Sequence, residues 1–271
     1  MGNDLSAWTT FGIGGKARRI AVANTRGELE EFSSEGLLLG RGSNVLVSDD
    51  GYDGTVVINR FESIEKTGAL VVVGSGTRLT ELCAYLANSG LSGMEWAVGI
   101  PASVGGAVRM NAGAEDGAIA NRLVYADILR GGKTLRLSAD EIGFSYRKSG
   151  LLPRDVVLSA AFALDYGDSN KIKALCKQYT ARRNARQPKG KSAGSIFKNP
   201  SGISVGKVLD DAGLKGMRIG GAQISPKHAN IIVNTGGATA HDVCELIAVM
   251  RNALTERGVT AEEEIIYIGG F

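Results

Sequence analysis

The chain is poor in cysteine, proline and histidine, with three, five and two of them in 271 residues. Cys83, Cys176 and Cys244 are odd in number and far apart, which fits neither a disulfide framework nor the paired spacing of a zinc site. Reduced thiols, no bound metal and a cytoplasmic location are therefore expected. Scarce proline and the lack of low-complexity runs argue against disorder. No apolar stretch reaches the roughly 18 residues needed to cross a bilayer, and Met1–Thr10 lacks the basic-then-apolar pattern of a secretion signal. With 31 basic and 28 acidic residues, the net charge of +3 does not describe a binder of polyanions along its whole surface. What is abundant is glycine. The 38 glycines are about twice average usage of ~7%, in a chain that is 44% hydrophobic. Glycine on that scale in an ordered protein means many tight turns, or many places where backbone approaches something closely.

Short β-branched or aliphatic runs at Leu37–Gly40, Val45–Val47, Thr55–Ile58, Leu70–Gly74 and Val156–Leu164 read as strands. Leu123–Arg130 and Thr134–Leu137, joined by Gly131-Gly132-Lys133, read as a hairpin. Thr25 with Glu28, and Ser138 with Glu141, have capping-box spacing and predict helix starts. Further helices are expected at Thr77–Asn88, Asp168–Gln187, Ile203–Ala212 and Thr239–Gly258, and strands at Asn230–Asn234 and Glu264–Ile268. The fold class is α+β. The change from a strand-dominated first part falls between residues 165 and 190, and the division is drawn as 1–180 and 181–271.

Three glycine loops stand out. Gly40-Arg41-Gly42-Ser43-Asn44 and Gly74-Ser75-Gly76-Thr77 each lack the last glycine of G-x-G-x-x-G, since the sixth positions are Val45 and Leu79. The first also leads into a strand, so a Rossmann domain is disfavoured. Gly99-Ile100-Pro101-Ala102-Ser103-Val104-Gly105-Gly106-Ala107 leads on to Asn111-Ala112-Gly113. Successive uncovered amides there would form an anion-binding nest, with the Asn111 amide reading a polar cofactor edge. Three such loops in one domain suggest one long ligand contacted along its length.

The first and third of these loops, as Leu39–Val47 and Gly99–Gly113, together with Thr10-Phe11-Gly12-Ile13-Gly14-Gly15, Ser145-Tyr146-Arg147, Ala193-Gly194-Ser195-Ile196-Phe197-Lys198-Asn199-Pro200 and Glu264-Ile265-Ile266-Tyr267-Ile268-Gly269, resemble the UDP-N-acetylenolpyruvoylglucosamine reductase family over nearly the whole chain. The short length resembles the family's second subtype. The resemblance implies an FAD-binding unit of the PCMH type, similar to vanillyl-alcohol oxidase and built of two subdomains, plus a smaller α+β substrate-binding domain. Ala102 stands where the family often has glycine, and Glu115-Asp116 where tyrosine-glycine is frequent.

The implied activity has two steps. NADPH reduces FAD; flavin N5 then delivers hydride to the enolpyruvyl ether of a UDP-sugar. By resemblance Ser195 is the proton donor, Arg147 clamps the substrate carboxylate, and Glu264 helps hold the enediolate-like intermediate. By alternation Glu262 shares a face with Glu264 and competes for that role. The cofactor-binding set implied is Gly40, Gly42, Ser43, Asn44, Val45, Gly99, Ile100, Pro101, Ser103, Gly105, Gly106, Asn111 and Gly113. Tyr146, Arg186, Lys198 and Asn199 are implied substrate contacts. Between Ser169 and Leu209 there are ten Lys/Arg and no Asp or Glu, which suits a diphosphate-bearing substrate. Nucleic acid is not expected, because no aromatic interleaving accompanies that run. Two other readings are a flavin oxidase of a sugar or alcohol and a non-catalytic flavin module. His228 and His241 lie far downstream of the glycine loops, which weighs against the first, and Ser195, Arg147 and Glu264 weigh against the second.

Overall fold

The computed structural model describes residues 2–271, so Met1, where the N-terminal reading begins, lies outside the described residues. The chain divides into two compact units. A central unit holds Ile20–Arg41 and Val56–Arg183, and a C-terminal unit holds 2–19, Gly42–Thr55 and Asn184–Phe271.

The central unit is built on a five-stranded antiparallel sheet ordered Lys133–Ser138, Leu123–Arg130, Val156–Ala163, Leu70–Gly74 and Ile64–Thr67. Gly131 and Gly132, at φ 56° and 75°, make the tight connection of the first hairpin, the left-handed conformation such turns require. Val156–Ala163 is buried along nearly its whole length because both faces are covered. Val157, Ala160 and Phe162 join a large core with Leu79, Leu82, Leu86, Val104 and Ile119, whereas Val156 and Leu158 pack with Ala23, Leu29 and Val57. Both capping boxes form where their spacing predicts. Glu28 N donates to Thr25 Oγ1 at 3.2 Å and Glu141 N to Ser138 Oγ at 3.2 Å.

The C-terminal unit packs the helices Val205–Asp211 and Ala240–Glu256 with a three-stranded antiparallel sheet, Arg218–Ile219, Ala222–Ile224 and Ile232–Asn234. Its core joins Phe11, Ile13 and Leu46 from the start of the chain to Ile196, Phe197, Leu246, Met250 and Ile265. Val45–Val47 pairs in parallel with Ile266–Ile268, so the Gly42–Thr55 segment sits with the last residues of the chain. The contiguous division at 180/181 is therefore redrawn. One cut does fall nearby, between Arg183 and Asn184, but two early segments join the C-terminal unit through this pairing and this core. No helix of the described residues is long and apolar enough to cross a membrane.

Candidate active site

In the central unit, Arg147 sits at the third position of a tight turn. Ser145 N donates to Lys148 O at 2.9 Å and Lys148 N to Ser145 O at 3.1 Å. Arg147 has φ 54°, a left-handed conformation that normally selects glycine or asparagine there. Such a residue costs on the order of 1–3 kcal/mol and persists only where its surroundings enforce it. Asn111 is one enforcer. It is buried, itself left-handed at φ 41°, and its Nδ2 donates to Ser145 O at 2.9 Å while Oδ1 accepts from Ala120 N at 3.1 Å. Each end of the Asn111 amide makes one hydrogen bond within the protein, and these bonds position the turn. Gly113 makes room for the result, since a Cβ there would lie 3.2 Å from Arg147 Nη1. Tyr146 is 55% exposed, with the Arg147 guanidinium 5.3 Å from its ring centre.

More polar pins hold the residues that follow. Ser149 Oγ donates to Arg109 O at 2.7 Å, and Arg109 Nη2 donates to the carbonyls of Leu152 (3.2 Å) and Asp155. The Asp155 carboxylate accepts from Arg130 Nε and Nη2 at 2.8 and 2.7 Å and from Leu152 N at 2.8 Å. Arg130 holds that carboxyl below the usual carboxylate range.

The Gly99–Gly113 segment departs from the expected nest. Val104–Arg109 is a short helix capped by Ser103. Val104 N donates to Thr77 O at 2.9 Å, Gly105 N to Ser75 O at 2.8 Å and Gly106 N to Ser103 Oγ at 3.4 Å. Successive open amides across the whole segment are therefore ruled out, because the helix start is docked on the Ser75–Thr77 loop. Amides without a protein acceptor among the described residues remain just before it, at Gly99, Ala102 and Ser103. Ile100 N donates to Ala97 O at 3.1 Å, and Pro101 is exposed. Arg183 was not among the expected contacts, yet a Cβ on Gly99 would lie 3.1 Å from its Cδ, and burial pulls its guanidinium pKa down. Its place in the acid-free run was the available signal.

In the C-terminal unit the backbone brings Ser195 and Glu264 onto neighbouring segments. Ser195 bridges Ile231, Ile196 N donates to Asn230 O at 2.9 Å, and Glu264 N donates to Ile196 O at 2.7 Å. Asn230 completes the ladder with its side chain, accepting from Phe197 N at 3.0 Å and donating to Phe197 O at 2.8 Å. Asn44 does the same for Glu264, its Nδ2 donating to Glu264 O at 2.9 Å while its own carbonyl accepts from Ile266 N at 3.0 Å. The strand begins at Ile266, so Glu264 precedes it instead of opening it. Lys198 Nζ pairs with Glu262 at 2.8 Å, and Glu263 accepts from Tyr267 Oη at 2.6 Å and from Arg251. Asn199 Oδ1 accepts from Val205 N at 3.0 Å and so helps cap a helix. Arg186 ends the helix Ser169–Arg186 and is exposed. Gly42, Ser43 and Val45 lie in this unit, Val45 paired with Ile266, and the amides of Gly42 and Ser43 have no protein acceptor among the described residues.

Comparison with known proteins adds identity to geometry. The profile of an FAD binding domain matches residues 21–138, and that of the UDP-N-acetylenolpyruvoylglucosamine reductase C-terminal domain matches 186–268. The chain is 41% identical over 281 residues to the UDP-N-acetylenolpyruvoylglucosamine reductase of Caldicellulosiruptor bescii, covering 98% of this chain and 90% of that protein. The enzyme of the same name from Thermotoga petrophila is 41% identical over 275 residues, covering 98% and 97%. The crystal structure of UDP-N-acetylenolpyruvylglucosamine reductase (MurB) from Thermus caldophilus aligns with a TM-score of 0.89 at 39% identity, covering 98% of this chain and 97% of that one.

Proposed function

This chain belongs to the UDP-N-acetylenolpyruvoylglucosamine reductase family, and from that premise we propose that it uses NADPH and FAD to convert UDP-N-acetylglucosamine-enolpyruvate to UDP-N-acetylmuramate. The residues present fit an FAD. Arg41 Nε is buried without a hydrogen-bond partner, and the amides of Ala102 and Ser103 are open donors suited to phosphate oxygens. FAD, when bound, supplies the two-electron chemistry that links NADPH oxidation to alkene reduction. Gly40, Gly42, Ser43, Asn44, Val45 and the loop around Gly99–Gly106 would hold it, through backbone approach and open amides.

The observation that carries the reading is the paired presentation of Ser195 and Glu264 by one hydrogen-bonded backbone ladder. Ser195 Oγ delivers the proton to the carbon next to the substrate carboxylate, a general-acid step worth roughly 10²–10⁴ in rate. Glu264 holds the developing enediolate. Glu262, whose carboxylate pairs with Lys198, is the competing candidate for that role, and the spacing to Ile268-Gly269 favours Glu264. Arg147 binds the carboxylate with a planar fork that lysine could not reproduce. Tyr146, Arg186, Lys198 and Asn199 serve substrate binding, with the Asn199 amide nitrogen left for that purpose by the Oδ1 contact to Val205.

The test is anaerobic. A yellow protein should bleach with NADPH and regain its flavin spectrum on adding UDP-N-acetylglucosamine-enolpyruvate without oxygen. Failure of that recovery overturns the reading.

A further inference from the structure

The Thr10-Phe11-Gly12-Ile13-Gly14-Gly15 motif takes no part in the chemistry above, yet the C-terminal unit is built tightly around it. Phe11 and Ile13 are buried in the core of that unit. Gly15 N donates to Ser48 O at 2.8 Å, and a Cβ on Gly15 would lie 2.1 Å from Asp49 O, so the end of the motif is pressed onto the segment that begins at Gly42. From the other side, Asn234 Nδ2 donates to Phe11 O at 3.1 Å, while Asn234 N donates to Lys191 O at 2.9 Å. The motif thus lies against two stretches far apart in sequence, Gly42–Asp49 and the one that starts at Lys191.

Thr10 joins those two stretches directly. Its amide donates to Gly42 O at 3.0 Å; its Oγ1 donates to Ser192 O at 2.7 Å and lies 3.3 Å from Gly42 O as well. Glycine at position 42, with φ 60°, permits the approach, because a Cβ there would lie 2.3 Å from Trp8 O and 2.8 Å from Thr9 Cα. Ser192 leads straight into Ser195, which bridges Ile231. At the far end of the same loop, Asn44 Nδ2 donates to Glu264 O at 2.9 Å. The loop Gly42–Val45 is therefore tied to the stretch carrying Ser195 through Thr10, and to the stretch carrying Glu264 through Asn44.

We infer that Thr10 is a positioning residue: its hydroxyl sets the stretch carrying Ser195 against the loop Gly42–Val45, and so sets the proton donor against the flavin. This rests on the reading above, in which that loop holds FAD and Ser195 delivers the proton. Adding hydride and a proton to adjacent carbons requires both donors in place at once, and a displacement of about 1 Å can cost ~10²-fold in rate. Reduction of the flavin by NADPH makes no such demand, because Ser195 has no part in it. Loss of the Thr10 hydroxyl therefore falls on one half-reaction, whereas general damage to the fold falls on both.

The experiment compares flavin-loaded wild type, Thr10→Val and Thr10→Ser by anaerobic stopped-flow absorbance of each half-reaction and by hydrogen–deuterium exchange. Thr10→Val keeps the shape of the side chain and the amide bond to Gly42, and removes only the hydroxyl. It should take up FAD and accept electrons from NADPH as the wild type does, while reoxidation by UDP-N-acetylglucosamine-enolpyruvate slows roughly tenfold, the loss of one hydrogen bond, with little change in substrate KM. The peptide covering 191–195 should exchange faster, and Thr10→Ser should restore both rate and protection. Unaltered reoxidation or unaltered exchange in Thr10→Val overturns the inference. Equal loss in both half-reactions, or failure of Thr10→Val to take up FAD, makes the residue a structural one and overturns it too, as does a Thr10→Ser protein no better than Thr10→Val. A wild-type flavin that substrate never reoxidises refutes the functional reading instead, a separate outcome.

Discussion

The two stretches that present the proposed catalytic side chains are held by different means. Ser195 and Glu264 ride on a backbone ladder, in which amides and carbonyls of residues 195–198 pair with 230–231 and 262–264 and two asparagine side chains stand in for missing strand partners. Arg147 rides on a turn in a left-handed conformation, kept there by side-chain pins from Asn111 and followed by others from Ser149, Arg109 and Asp155. A ladder distributes its support over many bonds between groups that every residue carries. A pinned turn concentrates it in a few polar side chains, each of which can be removed by one substitution. Apart from its link to the flavin-holding loop through Thr10, the ladder should therefore lose function only when the reacting group itself is changed, and the turn should lose it when supporting residues are changed as well.

The largest effect expected is at Ser195. Ser195→Ala should slow reoxidation of the flavin by substrate roughly 10²–10⁴-fold while leaving reduction by NADPH nearly intact, as stopped-flow absorbance would show. Equal loss in both half-reactions would mean that the serine supports the ladder, and the contrast with the turn would collapse. Asn111→Ala comes next. It leaves the Ala120 amide without its partner, costing about 1–3 kcal/mol if the amide stays buried, and leaves the Ser145 carbonyl with the Lys148 amide alone. The measurable consequence is a raised KM for substrate and a slower substrate half-reaction, since Arg147 loses its anchor. Unchanged substrate kinetics in a folded Asn111→Ala protein would show that the turn holds itself.

Much of the frame was legible in the sequence because local chemistry specifies it. Thr25/Glu28 and Ser138/Glu141 formed capping boxes, Gly131-Gly132 closed the hairpin, and Val45–Val47 and Leu70–Gly74 are strands at the predicted bounds. The strand Ala17–Ala23 was missed because Arg18 and Arg19 break the apolar alternation at its start. The helix Val104–Arg109 was missed because its first residues include Gly105-Gly106, poor helix formers that are retained where the helix docks on Ser75. The chemical roles of Ser195, Arg147 and Glu264 came from family resemblance, and no local pattern would have supplied them. The left-handed Arg147 and the meeting of Thr10 with Gly42 and Ser192 had no signature at all, because each depends on tertiary pairings across distant loops.

Asp155 tests the pins from another side. Its pKa is lowered in the folded protein, chiefly by the hydrogen bond from Arg130. The stability it contributes is thus fully present above the unfolded carboxylate value of about 4, and is lost as pH falls through the lower folded value. Asp155→Asn should cost about 2 kcal/mol near neutrality, in the range of hydrogen bonds to charged groups, and should flatten the fall in unfolding free energy below about pH 5. Denaturant titrations at a series of pH values would read both. An unaltered acid limb would place the acid sensitivity elsewhere, for instance at Asp127, whose pKa Arg136 also lowers.

The smallest effect has the opposite sign. If Arg147 occupies its conformation for function, relieving the strain should stabilise the fold. Arg147→Gly accepts φ 54° without the steric cost, and should raise the unfolding free energy by about 1 kcal/mol, or Tm by roughly 2–4 °C, while the substrate half-reaction is lost with the guanidinium. Against that gain stand the interactions of the guanidinium, among them its approach to 5.3 Å from the Tyr146 ring centre. Calorimetry decides the sign. A lowered Tm in Arg147→Gly would mean that the guanidinium is itself a structural pin, and the turn would then resemble the ladder in being held by what it presents.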